Sequence, residues 1–288
     1  MTTPITALIT APITIITGAS SGIGAALART LARSGHALVL AARRRPELEA
    51  VAAECRDVGS PDVLAVTCDV TVRAQVDALA DAAIAHFGRF DTWVNNAGRG
   101  ITRDVVDLTD DDLDLMWTVN VKSAMYGMQA AARHFTSRGT GHIVNVSSVL
   151  GRVPLAHFRS AYSACKAALN SLTANLRMEM RARHPGVHVS LVMPGVVLTD
   201  FARNVVGTPR PPVAPSPAFG GTVTQPQTAD EVAEAIARVI AEPTLELYTN
   251  PASAAQALAY ATDLATFEAR LVDAMRGQHP PAAADRSS

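Results

Sequence analysis

Cysteine is scarce in this sequence. Cys55, Cys68 and Cys165 are three scattered thiols in 288 residues, too few for a disulfide framework, and a reducing, cytoplasmic setting is expected. A basic excess is missing as well. The net charge of −1 excludes the electrostatic footprint of a nucleic-acid binder. No charge-free apolar stretch is long enough to span a bilayer. Residues 5–16 come nearest, but they lack a basic leader, follow Pro4 and contain Pro12, and run straight into a glycine turn. Neither a signal peptide nor a membrane contact is expected. No Cys/His cluster has zinc spacing, and His184 and His188 are separated by the helix-breaking Pro185-Gly186. Asp110, Asp111, Asp112 and Asp114 read as an acidic helix start, not as a metal site. Internal repeats and a domain-separating linker are lacking too. Asn145-Val146-Ser147 matches a glycosylation acceptor, but it falls in an expected buried strand.

What is present is a regular alternation of strand and helix patterns. Short apolar runs at 13–17, 37–42, 63–67, 90–95, 141–147, 187–193 and 245–248 read as strands. Helical patterns cover 25–31, 46–57, 71–87, 110–134, 160–184, 228–241 and 252–275. Alternation of this kind implies an α/β fold with a doubly wound parallel sheet, Rossmann-like and three-layered. With 48% hydrophobic residues, one core is expected over 13–276, after a loose lead-in at 1–12. The pattern lapses over 200–228, where Pro209, Pro211, Pro212, Pro215, Pro217 and Pro226 fall. A long irregular stretch inside a compact domain reads as a substrate lid. A frayed tail is expected over 277–288.

The densest signal is Gly18-Ala19-Ser20-Ser21-Gly22-Ile23-Gly24. It joins the first strand to the first helix. Glycine is needed where backbone turns tightly or approaches a ligand closely. The helix start beyond it offers unpaired N–H groups and a positive dipole end to phosphate. Such turns also arise from packing alone. At the opening of a βαβ unit, a dinucleotide pyrophosphate is the better reading.

Tyr162 and Lys166 lie four apart on an expected helix, hence on one face. An ammonium beside a phenol favours phenolate and lowers its pKa from about 10. Such a group exchanges protons with an alcohol or carbonyl oxygen. A core tyrosine with a snorkelling lysine is the alternative. Three further strand ends weigh against it. Ser148, Asn95-Asn96-Ala97-Gly98 and Pro194-Gly195 all emerge at the carboxyl rim of the sheet, where ligands bind in this architecture.

These residues resemble those of the short-chain dehydrogenase/reductase family. The match rests on Thr17-Gly18-x-x-x-Gly22-x-Gly24, Asn95-Asn96-Ala97-Gly98, Asn120, Ser148, Tyr162-x-x-x-Lys166 and Pro194-Gly195, from about Ile13 to Thr199. The resemblance implies hydride transfer between a nicotinamide cofactor and a carbonyl or alcohol. Tyr162 would be the general acid, Lys166 the cation that lowers its pKa and holds the ribose, and Ser148 the group orienting the carbonyl. Asn120 would hold a water linking Lys166 to solvent. Gly18, Ser20, Ser21, Gly22, Ile23, Gly24, Asn96, Ala97, Gly98, Pro194, Gly195 and Val197 would contact cofactor. Asp69 and Val70 would meet the adenine, and Thr199 the nicotinamide amide. A homodimer or homotetramer is implied.

Cofactor choice is read from Arg43-Arg44-Arg45. An acidic residue after the second strand binds the ribose 2′-OH of NAD, whereas guanidinium suits the 2′-phosphate of NADP. Ala42 takes the expected acidic position, so NADP(H) is favoured over NAD(H), with Arg43 first and Arg44 second. Arg99, Val149, Leu150, Val153, Pro154, His157, Phe158, Val196 and Phe201, with Phe219 of the lid, are expected pocket walls. They point to a ketone, aldehyde or secondary alcohol with a hydrophobic body, while Arg152 and His157 could meet a polar group. NAD-dependent alcohol oxidation and a non-catalytic cofactor sensor are the alternatives. Two departures from the family stand out. Cys165 precedes Lys166 where serine is usual, and Leu247-Tyr248-Thr249-Asn250-Pro251 replaces the usual glycine-rich ending. The extra C-terminal helix could cover substrate, mediate a dimer or simply pack.

Overall fold

The computed structural model describes residues 10–199, 201, 205–207 and 225–278. Most of the expected lid, with Phe219, and residues 279–288 of the expected tail lie outside the described residues.

Strands β1 (Ile13–Thr17), β2 (Ala37–Ala42) and β3 (Val63–Thr67) alternate with helices α1 (Gly22–Arg33), α2 (Arg45–Asp57) and α3 (Arg73–Phe87). Strand β4 (Thr92–Asn95) and the two-residue β5 (Ile101–Thr102) precede helices α4 (Asp110–Trp117) and α5 (Ser123–Arg138). Next come β6 (Gly141–Val146), α6 (Ser160–Arg183) and β7 (Val187–Met193). Three further two-residue strands are β8 (Val197–Leu198), β9 (Val206–Gly207) and β10 (Gln227–Thr228). Helix α7 (Ala229–Ala241), strand β11 (Glu246–Tyr248) and helices α8 (Pro251–Thr262) and α9 (Leu264–Gln278) follow as the last elements among the described residues.

The main sheet has seven parallel strands in the order β11-β7-β6-β4-β1-β2-β3. Strand order reverses at β1, whose neighbours are β2 and β4. Such a switch point opens a crevice at the carboxyl ends of the strands. The inner strands are buried on both faces, which explains their unbroken apolar runs. On one face Ile16, Leu38 and Leu40 pack with Leu27 and Leu31 of α1, Leu48 of α2 and Ile236 of α7. On the other, Ile15, Val39 and Trp93 pack with Leu79 of α3, Phe135 of α5 and Leu169 of α6.

Two helices expected to be continuous are interrupted. The pattern over 110–134 forms α4 and α5 around a π-helical turn at Thr118–Lys122. Within that turn Asn120 donates to the Met116 carbonyl, and the Ser123 hydroxyl donates to the Val119 carbonyl. A π turn re-aims one side chain without ending the helix, and here it turns Asn120 inward. The pattern over 252–275 forms α8 and α9, which break at Asp263 (φ −143°, ψ 83°). The Asp263 carboxylate accepts from the Thr266 amide, starting the second helix. The two-residue strands were not expected, because so short a ladder leaves no periodicity to read.

Candidate active site

One cavity of about 800 Å³ runs along the carboxyl rim of the sheet and is lined by both the glycine turn and Tyr162. Its size suits a cofactor with a small organic molecule. At one end the backbone is drawn tight. Gly18 (φ +67°) and Gly22 (φ +55°) adopt the left-handed conformation, which costs glycine little. A Cβ on Gly24 would lie 2.4 Å from the Gly18 carbonyl oxygen and 2.6 Å from Asn96 Nδ2. Ser21 precedes α1 in extended conformation without a side-chain cap, leaving the first-turn amides to an anion. The turn is tied to β4 by Asn96, whose Nδ2 donates to the carbonyls of Thr17 (2.9 Å) and Gly18 (3.3 Å). The Asn96 and Ala97 amides in turn donate to Thr17 Oγ1. Asn96 therefore holds the turn with its side chain.

Arg44 reaches across this end. Its Nη2 donates to Ser20 Oγ (3.2 Å) and Ser21 Oγ (2.9 Å), and its Nη1 pairs with Glu47 at 3.3 Å. Arg43 and Asp69 line the same wall. Burial raises the Asp69 carboxyl, but hydrogen bonds from the Thr71 hydroxyl and amide and the Arg43 charge outweigh it and hold the pKa low.

The other end is assembled from β6, α6 and the loops between them. Ser147 donates to Asn170 Oδ1 (2.6 Å), and Asn170 Nδ2 donates to the Gly151 carbonyl (3.0 Å). The Val149 amide donates to the Pro194 carbonyl at 2.9 Å. These bonds lock the loop carrying Ser148 against α6, which carries Tyr162 and Lys166. A Cβ on Gly151 would lie 2.7 Å from the Lys166 carbonyl carbon, so close approach requires glycine there. Ser148 Oγ accepts from the Leu150 amide (3.2 Å) and hydrogen-bonds with Tyr162. Lys166 is buried, with Nζ donating to the Val146 carbonyl at 3.0 Å and lying 5.6 Å from the Tyr162 ring centroid. Asn120 Oδ1 accepts from the Arg99 amide, and its Nδ2 donates to the Arg99 carbonyl. A Cβ on Gly98 would lie 3.0 Å from Asn120 Oδ1 and 3.7 Å from Lys166 Nζ. Asn120, Gly98 and Lys166 thus converge.

Electrostatics here departs from the expectation that Lys166 acidifies Tyr162. Burial pushes the Tyr162 phenol up to about 12, while the Ser148 hydrogen bond and the Arg159 guanidinium oppose that rise. Burial also pushes Lys166 down, to about 8. With that value the Lys166 ammonium is still mostly protonated at neutral pH. Cys165 is buried, and burial pushes its thiol up to about 11, which makes it an inert packing residue.

Of the expected pocket walls, Arg99, Val149, Leu150, Phe158, Val196 and Phe201 line the cavity. Four expectations do not hold. Val153 is buried in the core, and Pro154 is exposed outside the lining. His157 faces outward, with Nε2 3.4 Å from Asp104, and Arg152 pairs with Glu246 at 2.6 Å. An irregular stretch has no period, so its inward and outward residues are indistinguishable in sequence. Asn120 and Gly24 also lie outside the lining and act one layer behind it. Missed from the sequence are Leu115, Leu155 and Arg159, and from the C-terminal helices Gln256, Leu271 and Met275. The C-terminal extension therefore covers the cavity. Gln256 Oε1 is buried with no partner among the described residues.

A family model described as short chain dehydrogenase matches residues 12–209. The chain belongs to the short-chain dehydrogenase family. An uncharacterized oxidoreductase of Bacillus subtilis is 38% identical over 188 residues, 65% of this chain and 52% of that protein. The chain thus spans about half the length of that relative. An uncharacterized oxidoreductase of Staphylococcus aureus is 33% identical over 208 residues, 72% of this chain and 87% of its own. Among solved structures, a short-chain dehydrogenase/reductase from Burkholderia phymatum in complex with NAD is 30% identical, with a TM-score of 0.78. The alignment covers 88% of this chain and 94% of that one. An alcohol dehydrogenase from the archaeon Thermococcus sibiricus, complexed with 5-hydroxy-NADP, is 28% identical with a TM-score of 0.70. It covers 83% of this short-chain dehydrogenase and 96% of its own chain.

Proposed function

We propose that this short-chain dehydrogenase is an NADP(H)-dependent carbonyl reductase. The observation that carries the reading is the convergence of Ser148, Tyr162 and Lys166 on a cavity whose other end is the glycine turn. The residues present fit the nucleotide. Gly18 and Gly24 are packed so tightly against Ala97, Asn96 and each other that only glycine fits, which sets the turn against the cavity, and the uncapped start of α1 suits a pyrophosphate. When bound, the reduced nicotinamide supplies a hydride to the carbonyl carbon.

The protein supplies the proton and the alignment. A phenol held near pKa 12 is fully protonated at neutral pH, the state a general acid requires. Tyr162 donates that proton to the carbonyl oxygen, so that C=O becomes CH–OH. Ser148, already bonded to Tyr162, orients the same oxygen. Negative charge left on the phenol is stabilised by the Arg159 guanidinium and by the Lys166 ammonium, which with a pKa of about 8 stays mostly protonated at neutral pH. Asn120 keeps the Gly98–Arg99 segment against Lys166.

Preference for NADP(H) is supported by Arg44 bonded to both Ser20 and Ser21, by Arg43 on the same wall, and by Ala42 where an acid would bind a 2′-OH. Guanidinium pairs bidentately with phosphate. The two solved relatives carry NADP-like and NAD ligands respectively, so the choice rests on this wall. Titrating the protein with NADPH and NADH, followed by nucleotide fluorescence, tests it, and tighter NADH binding would remove Arg43 and Arg44 from this role. NADPH consumption across a ketone panel, wild type against Tyr162→Phe, tests the reaction. Equal rates would reject the assigned acid.

A further inference from the structure

The substrate end of the cavity holds a cation that the sequence pattern did not mark. Arg159 lies immediately before α6, three residues ahead of Tyr162, and lines the cavity. It is partly buried. Its Nη1 donates to the Ile101 carbonyl at 3.2 Å, and its guanidinium carbon lies 5.7 Å from the Phe158 ring centroid. A Cβ on Gly100 would meet Phe201 at 2.8 Å and Arg159 Nη1 at 3.1 Å. Phe201 in turn lies 5.6 Å from the Tyr162 ring. Arg159, Phe201 and Tyr162 therefore surround one space.

No carboxylate pairs with Arg159 among the described residues, although acids nearby are paired with other cations. Asp112 takes Arg103 at 2.7 Å, Glu246 takes Arg152 and Arg177, and Asp104 faces His157. Asp69 is the one acid among the described residues of the lining, and it stands with Arg43 at the nucleotide end. A partly desolvated guanidinium without a counter-charge is costly. Its planar fork matches a carboxylate bidentately. Phe158 packs beside it, and Leu115, Leu155, Leu271 and Met275 add apolar wall to the same cavity.

Resting on the carbonyl-reductase reading above, we propose that the substrate is an oxo acid with an apolar body, its carboxylate held by Arg159 and its carbonyl facing Tyr162 and Ser148. Arg159 is on this account the residue that selects the substrate class.

The test compares 2-oxo-4-phenylbutanoate and 3-benzoylpropanoate with their methyl esters, measuring kcat/KM with NADPH. Wild type favours at least one acid over its ester by about tenfold or more, the scale of one charge-assisted bidentate contact. In Arg159→Gln that ratio falls towards one, mainly through KM, and Arg159→Lys restores part of it. Because the ratio is internal to each variant, a general loss of activity does not mimic the result. A second arm titrates the protein calorimetrically with 4-phenylbutanoate, which cannot be reduced, and with 4-phenylbutanamide. Tighter binding of the acid that depends on Arg159 supports the proposal whatever the turnover. Esters reduced as well as acids in a Tyr162-dependent way would overturn the role of Arg159 and leave carbonyl reduction standing. Absence of any Tyr162-dependent turnover, with Arg159-dependent acid binding retained, would instead overturn the reaction. Equal binding of acid and amide in the second arm overturns the proposal by itself.

Discussion

The two ends of the cavity are built on opposite principles. At the nucleotide end, three glycines and Thr17 of the β1–α1 turn form a tight set of contacts, tied to the end of β4 by Asn96. At the substrate end, the walls come from separate parts of the chain: α4, the loop before α6, Phe201, and helices α8 and α9. The first is one short turn held by one distant side chain, and its geometry leaves little freedom. The second depends on packing between elements far apart in sequence, and its chemistry rests on a few side chains. A shared nucleotide needs one fixed cradle, whereas substrate choice varies through the surrounding loops and helices.

The sharpest break in this comparison lies between the ends. Tyr162→Phe should lower ketone-dependent NADPH consumption by about 10³-fold, within the range for a lost general acid, as read from steady-state rates. Lys166→Met should separate stability from activity. Burial lowers the Lys166 pKa from 10.5 to about 8, so between those values the unfolded chain binds the proton and the native chain does not. Stability from this group therefore rises as pH climbs through that window, by up to about 3 kcal/mol. Below pH 8 the buried charge is a cost, and the methionine variant should melt at or above the wild-type temperature at pH 7 while losing turnover. Denaturant melts at pH 7 and pH 9.5 check this. The Tyr162 shift from 10.0 to about 12 acts oppositely: above pH 10 the unfolded chain releases a proton that the native phenol keeps, and stability falls.

Damage to the glycine turn should reach both stability and nucleotide binding. A Cβ at Gly24 meets backbone and Asn96, not a flexible side-chain end. Gly24→Ala should cost about 1–3 kcal/mol of stability and raise the NADPH Kd, measured by melting and fluorescence titration. Arg44→Ala should be narrower, reducing the preference for NADPH over NADH by about tenfold through lost phosphate pairing. Damage to the substrate end should be graded. Met275→Ala removes part of one wall and should raise KM for a bulky ketone only a few-fold, with little change in NADPH affinity. A comparable loss in nucleotide affinity would show that α9 belongs to both ends.

The comparison also explains which parts were legible beforehand. Gly18, Gly22 and Gly24 are marked by residue type, because only glycine meets those backbone demands. Tyr162 and Lys166 are marked by helical spacing, and the inner strands by runs buried on both faces. Nothing local marks Arg159, Leu115 or Met275, since one arginine or leucine in a helix or loop looks like any other. The π turn at Asn120 and the break at Asp263 were hidden for a similar reason, as each side of the interruption keeps helical periodicity. Arg152 and His157 were expected near the substrate and instead face Glu246 and Asp104.

Chain order and residue type alone determined the parallel sheet and singled out Tyr162 as the candidate acid, because periodicity and glycine geometry are short-range constraints. Only the tertiary structure decided the direction in which the pKa values of Tyr162 and Lys166 shift. Those pKa values follow from how completely water is excluded, and exclusion depends on every element packed around them. It also decided that α9 closes the cavity and that Arg159 stands beside Tyr162 without a counter-ion among the described residues.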